Sequence, residues 1–228
     1  MKDAKQFRVA SVPGNINLLV PILRHFAAKR KIVGVTAWDF PSGLVAETAG
    51  IDLVLVGDSL GITFLGYKDT KAVTLNEMVH HTRAVTQAVK TGFVLADLPL
   101  GSYEKSTEHA IDSAIRLVKE GGAHGVKLEG GSEMSPTIQA ISRIGIPVIR
   151  HIGLTLQRDL DASNQGDDSN DAVARILADA NSVASQTAAK IINALRIPTI
   201  GIGSGPNCSG QLALQTEILG FQTSLLPE

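Results

Sequence analysis

Seven short runs of this chain are apolar along their length, and the first five end on an ionisable residue. VGVTAWD stops at Asp39, DLVLVGD at Asp58, FVLAD at Asp97, GVKLE at Glu129 and IPVIRH at His151; IPTIGIG and GQLALQT follow further on. Strands that are greasy throughout are those buried on both faces, as in a parallel sheet covered by helices. Ionisable residues at the C-terminal tips of such strands are what a parallel α/β barrel gathers at one mouth. The pattern therefore predicts a TIM (β/α)8-type barrel with its site at that mouth.

Helical patterns alternate with the strands, which argues for successive βαβ units. Thr74 and Glu77 stand as a capping box before NEMVHHTRAVTQAV, with Gly92 soon after its last turn. Ser135 followed by Pro136 opens another helix, closed by Gly145, and TEHAIDSAIRLVKE ends on Gly121 and Gly122. No linker, repeat or low-complexity tract intervenes, so residues 1–228 read as a single barrel domain with residues 1–31 as an N-terminal helical cap.

Eight strands close such a barrel, and the chain supplies seven. The shortage falls between His151 and Pro198, where QGDDSNDAVARILADANSVASQTAAKIINALRIP is one long polar-apolar helical pattern. NSVAS is a poor strand candidate. The barrel is accordingly expected to be incomplete or distorted at its sixth strand, with part of 176–188 drawn into the gap or the barrel open there, because unpaired neighbours would expose backbone groups and core.

A hydrophobic fraction of 44% over 228 residues is enough for one full core. A net charge of -1 gives no reason to expect nucleic acid or an anionic membrane as a partner, and leaves small molecules. The single cysteine, Cys208, cannot form an internal disulfide. The first 31 residues carry seven Lys/Arg and one acid, Asp3, around LLVPILRHFAA, which Pro21 interrupts. An amphipathic helix across the closed end of the barrel is the favoured reading, with cytoplasmic location; a mitochondrial transit peptide is the alternative.

Asp58, Asp97 and Glu129 are hard oxygen donors on separate strands that a barrel would bring together. Magnesium is held by one or two carboxylates plus substrate oxygens and water, which such a cluster offers. Capping of the helix after each strand is the competing role for each acid, and most plainly for Asp39, which precedes Pro41 and Ser42. Lys127 lies two residues before Glu129 and shares its face of the strand; inside a barrel a lysine persists only beside anions. His151 ends a strand and can shuttle a proton, or else be satisfied by backbone. The adjacent His80 and His81 diverge on a helix and are expected at the surface, while His25, His109 and His124 carry no signal. Gly201, Gly203 and Gly205 in GIGSG could cradle an anion, but no dinucleotide fingerprint follows.

The segments KIVGVTAWDFPSGLVAETAGIDLVLVGDSLG, TLNEMVHHTRAV, VLADLPLGSY, GAHGVKLEGG, GIPVIRHIGLT and IPTIGIGSG closely resemble the ketopantoate hydroxymethyltransferase family. The resemblance implies a barrel of the phosphoenolpyruvate/pyruvate superfamily that transfers a one-carbon unit from 5,10-methylenetetrahydrofolate to the α-keto acid ketoisovalerate, in pantothenate biosynthesis. It implies Mg²⁺ as cofactor, folate as co-substrate and a homo-oligomeric assembly. By position, Asp58 and Asp97 match the metal-contacting aspartates, which also meet substrate, and Glu129 the nearby metal-site glutamate. Ser59 and Lys127 match residues that hold the keto acid. Lys127 and His151 are the catalytic candidates.

The sequence also departs from that family. Its sixth strand, with a glutamate acting as general base, has no counterpart here, and the stretch after Gln157 is shorter by about a dozen residues at the usual strand length. Asp171 and Asp179 lie on the helical stretch and read as solvated. LTPQ appears as LTLQ, DGQ as SGQ with Ser209 in place of the acid, and the sequence ends at Glu228 before a C-terminal helical tail. Losing a positioned base removes about 10²–10⁴-fold in rate, so impaired turnover is expected. Two further functions stay open: a catalytically silent homologue that binds keto acid and metal or serves as an oligomer subunit, and a related α-keto acid lyase.

Overall fold

The computed structural model describes residues 30–152, 157, 199–202 and 208–221. All seven apolar runs form strands: β1 (Ile32–Thr36), β2 (Leu53–Val56), β3 (Phe93–Asp97), β4 (Gly125–Glu129), β5 (Val148–His151), β6 (Ile200–Gly201) and β7 (Gly210–Ala213). They make one sheet in the order β5-β4-β3-β2-β1-β7-β6, with every pairing parallel. The helices are α1 (Phe40–Thr48), α2 (Leu60–Thr63), α3 (Leu75–Ala88), α4 (Thr107–Lys119), α5 (Ser135–Arg143) and α6 (Gln215–Ile218).

Local chemistry sets these boundaries. Asp39 is the N-cap of α1: its Oδ1 accepts from the Ser42 backbone N–H at 2.8 Å, and Ser42 Oγ accepts in return from the Asp39 N–H at 3.0 Å. β1 ends three residues earlier, at Thr36, so Asp39 caps a helix and is not a mouth group. Thr74 and Glu77 form the expected box at the start of α3. Gly122 and Gly145 follow α4 and α5 with φ of 78° and 93°, a left-handed backbone that glycine adopts without a Cβ penalty. Pro136 does sit in the first turn of α5, but the N-cap is Met134 and Ser135 supplies no cap bond.

Side-chain alternation along the strands separates two apolar layers. Val35, Val54, Val56, Val94, Ala96, Val126 and Leu128 point outward and pack beneath the helices, together with Met78, Val85, Ala114, Leu117 and Ile141. Ile32, Leu53, Leu55, Phe93, Leu95 and Leu212 point inward. Ile149 on one edge strand and Ile200 on the other both pack against this inner cluster, which gives the sheet the curl of a barrel. Among the described residues no strand pairs between β5 and β6, so the sheet that they form is open at the place where the sequence supplies one strand too few.

His81 corrects the surface reading. It lies on the buried stripe of α3 with Met78, Thr82 and Val85, and its Nδ1 is 2.5 Å from the carbonyl of Trp38. His80 is exposed as expected. His124 is half-buried and accepts from the Val94 N–H at 3.0 Å; burial lowers its pKa. The expectations for the N-terminal cap, His25, Gly203, Gly205, Asp171, Asp179 and the stretch 158–196 lie outside the described residues. No helix among the described residues is long and apolar enough to cross a membrane.

Candidate active site

The alternation that sends Ala96, Val126 and Leu128 outward sends Asp97, Lys127 and Glu129 inward, onto the face of Phe93 and Leu95. Parallel register then pairs them: Asp97 lies beside Lys127, and Glu129 beside His151. Asp58 arrives from the loop after β2, where its backbone N–H donates to Asp97 Oδ2 at 3.2 Å. Ser59 follows, half-buried at the start of α2, with no capping bond from its hydroxyl. The mouth thus brings together Asp58, Ser59, Asp97, Lys127, Glu129 and His151.

The contacts divide the three acids. Lys127 Nζ donates to Asp97 Oδ1 at 2.8 Å. Glu129 Oε1 accepts from His151 Nδ1 at 3.0 Å, and its Oε2 accepts from the backbone N–H of Gln157, also at 3.0 Å. Gln157 reaches further: its Nε2 donates to Asp58 Oδ2 at 2.6 Å and to the Leu98 carbonyl at 3.0 Å. Its Oε1 accepts from the Tyr103 hydroxyl at 2.6 Å, and that hydroxyl accepts from the Glu129 N–H at 3.3 Å. Asp58, Asp97, Lys127, Glu129 and Gln157 are all buried, none more than 8% exposed.

Burial and like charge govern the electrostatics. The Asp58 carboxyl is pushed up to about 7, first by burial and then by Asp97, with Lys127 and the Gln157 amide pulling the other way. Burial also penalises the Lys127 ammonium, yet Asp97 and Asp58 outweigh it and hold its pKa above the ordinary lysine value. For Glu129, burial pushes upward, but the His151 hydrogen bond, the Lys127 charge and the Gln157 N–H together hold it below the usual carboxylate range.

These residues suit a magnesium ion, with two of the acids in the leading role. Asp58 and Asp97 are adjacent oxygen donors whose mutual repulsion a cation would relieve. Among the described residues Asp58 Oδ1 accepts no hydrogen bond. Glu129 has both oxygens engaged by His151 and Gln157, and among the described residues no three His, Cys, Asp or Glu side chains stand as a metal-holding group. The negative charge of Glu129 is felt at Asp58.

Two side chains of the mouth lie outside the sequence-based candidates. Gln157 follows β5 and Tyr103 sits in a loop after Pro99 and Gly101, so neither belongs to a periodic pattern. Tyr103 ends the segment VLADLPLGSY and Gln157 ends LTLQ, and that is the available signal.

A curled, all-parallel sheet with acids and a lysine at its C-terminal rim is a fold of the α/β-barrel class. It matches 2,3-dimethylmalate lyase, described as a PEP mutase/isocitrate lyase superfamily member, with a TM-score of 0.61 at 18% identity over 91% of this chain and 84% of the other. It also matches a phosphoenolpyruvate phosphomutase from Streptomyces platensis, with a TM-score of 0.62 at 15% identity over 88% and 82%. A family model described as ketopantoate hydroxymethyltransferase matches residues 19–228, and the chain belongs to that family. It is 42% identical over 222 residues to the 3-methyl-2-oxobutanoate hydroxymethyltransferase of Thermoanaerobacter sp., covering 90% of this chain and 81% of the relative. The corresponding protein of Emericella nidulans is 46% identical over 205 residues, 83% of this chain, and the aligned part spans 58% of that relative's length.

Proposed function

We propose that this chain transfers a hydroxymethyl unit from 5,10-methylenetetrahydrofolate to 3-methyl-2-oxobutanoate, giving ketopantoate, with Mg²⁺ as cofactor. The observation that carries the reading is the buried Asp58–Asp97 pair beside Lys127 at the strand tips. Family membership supports it, as does a phosphonopyruvate hydrolase solved with oxalate and Mg²⁺, which shares the fold with a TM-score of 0.51 at 13% identity over 59% of this chain and 52% of that one. Oxalate, like an α-keto acid, presents two adjacent oxygens to a cation.

In this reading Asp58 and Asp97 hold the ion and Glu129 adds charge beside it. When bound, Mg²⁺ is a Lewis acid that draws electron density from the keto oxygen and so acidifies the neighbouring carbon. Lys127 gives one N–H to Asp97 and has two more donors for the substrate carboxylate. Ser59, with its hydroxyl uncommitted as a cap, is the second hold on the keto acid. His151 keeps its proton on Nδ1 toward Glu129, which leaves the Nε2 lone pair to receive the proton lost from the β-carbon.

Turnover below that of members with the sixth-strand glutamate follows from the sequence, by about 10²–10⁴-fold. The same absence favours a second reading, a homologue that binds metal and keto acid without turnover. A homo-oligomer is supported by exposed apolar side chains at Phe40, Leu44, Val45 and Phe64; cytoplasmic location is the companion expectation. Calorimetric titration of the full chain with Mg²⁺ and 3-methyl-2-oxobutanoate, followed by a tetrahydrofolate-dependent turnover assay, tests the proposal. Binding with turnover supports it, and binding without turnover supports the silent homologue. An Asp97→Ala variant that binds Mg²⁺ as tightly as the parent would defeat the shared site.

A further inference from the structure

Gln157 touches more of the mouth than any group assigned a role above, and its contacts admit only one orientation of its amide. The Tyr103 hydroxyl donates to Gln157 Oε1 at 2.6 Å and accepts from the Glu129 N–H at 3.3 Å. That fixes Nε2 toward two acceptors, Asp58 Oδ2 and the Leu98 carbonyl, and spends both of its hydrogens. A flipped amide would set an oxygen against both acceptors and an NH2 against the hydroxyl hydrogen, leaving buried groups without partners. The result is a polarised chain from the β4 backbone through Tyr103 and Gln157 to the carboxylate after β2. Meanwhile the Gln157 backbone N–H holds Glu129 Oε2, so one residue grips two acids of the mouth by two different atoms.

From this geometry we propose that Gln157 is a positioning residue: locked by Tyr103, it turns one oxygen of Asp58 away and leaves the other for the cation, while it keeps Glu129 apart from the Asp58–Asp97 pair. The inference rests on the proposed metal site and adds to it. Groups that orient a metal ligand in this way are worth about 10–100-fold in affinity or activity when removed. Tyr103 reaches Asp58 through the glutamine and also accepts the Glu129 N–H, and its ring is a large fully buried member of the core, so loss of its hydroxyl alone leaves the packing in place.

The test titrates Mg²⁺ alone into the metal-free full chain by calorimetry, for the parent, Gln157→Met and Tyr103→Phe. Gln157→Met keeps the length of the side chain and removes its polar contacts, while the backbone N–H to Glu129 stays. Expected is a loss of Mg²⁺ affinity of about 10–100-fold in Gln157→Met and a smaller loss in Tyr103→Phe. Side-chain amide hydrogens of Gln157 are expected to exchange slowly in the metal-free parent and faster in Tyr103→Phe. A Gln157→Met protein that binds Mg²⁺ as tightly as the parent, or more tightly, overturns the proposal, because the amide would then be a competitor for Asp58. Freely exchanging Gln157 amide hydrogens in the parent overturn it too. If Gln157→Met does not fold, Tyr103→Phe decides by the same affinity and exchange readouts. A parent that binds no Mg²⁺ overturns the functional reading itself, whereas failure in the variants alone leaves that reading standing.

Discussion

Lys127 and Asp97 sit side by side in register on β4 and β3, and the lysine Nζ lies 2.8 Å from the aspartate Oδ1 on the inner face of the sheet. Their side chains are only 10% and 3% exposed, so the pair is almost dry. Removing one partner of a buried ion pair strands the other charge, which costs about 3–5 kcal/mol. Here the stranded charges include Asp58 and Glu129, both of which feel the ammonium. Lys127→Met is expected to lower the unfolding free energy of the metal-free protein by that amount in urea denaturation. A variant within about 1 kcal/mol of the parent, the size of an exposed pair, would show that the lysine neutralises nothing of consequence.

Asp58 gives the metal-free protein a distinctive pH dependence. Its ordinary value is 3.8 and its folded value about 7. A carboxyl raised on folding contributes stability that is fully present below the unfolded value and is lost as pH rises through the folded one. The metal-free protein should therefore lose this contribution between about pH 4 and 7, and Mg²⁺ should raise the melting temperature more at pH 8 than at pH 5.5. Asp58→Asn removes the titrating group and should flatten that part of the profile. An unchanged slope in Asp58→Asn would assign the dependence elsewhere. Glu129, held below its ordinary value, acts in the opposite sense and in a more acidic window.

Much of this arrangement is legible in the sequence because strands have a period of two. Lys127 and Glu129 share a face by spacing alone, and all seven apolar runs are strands. Strand ends are less legible: the run to Asp39 reads as continuous, but Trp38 and Asp39 turn their N–H groups to Ser42 Oγ and the helix cap takes over. His81 looked like a surface residue because it adjoins His80, although its spacing from Met78 and Val85 matches the buried face of α3. Gln157 and Tyr103 were hidden for a different reason. Their roles come from hydrogen bonds that span 54 and 99 residues of chain, and no local pattern encodes such a closure.

Asp39 offers a control that separates a cap from a site residue. Its carboxylate accepts from Ser42 N–H at 2.8 Å, and no contact ties it to Asp58, Asp97 or Lys127. Asp39→Ala is expected to cost about 1 kcal/mol of stability, as loss of an N-cap does, with Mg²⁺ affinity unchanged by calorimetry. A drop in affinity comparable to that of Asp97→Ala would return Asp39 to the mouth.

Glu129 and His151 should act as one unit in the reaction. Both partners of the Glu129 carboxylate are donors, His151 Nδ1–H and the Gln157 backbone N–H. A glutamine at position 129 has only one oxygen to offer, so its NH2 must face one of them. The backbone N–H cannot change, but the imidazole can: it moves its proton to Nε2 and accepts at Nδ1. Glu129→Gln then removes the proton acceptor from the mouth without moving the ring. In steady-state turnover, Glu129→Gln and His151→Ala are each expected to lower kcat by about 10²–10⁴-fold, and the double variant should be no slower than the worse single one. Nitrogen NMR of the ring should show the proton on Nδ1 in the parent and on Nε2 in Glu129→Gln. A Glu129→Gln enzyme with the kcat of the parent and a switched tautomer would mean that Nε2 takes no proton, and that His151 merely closes the network around Glu129.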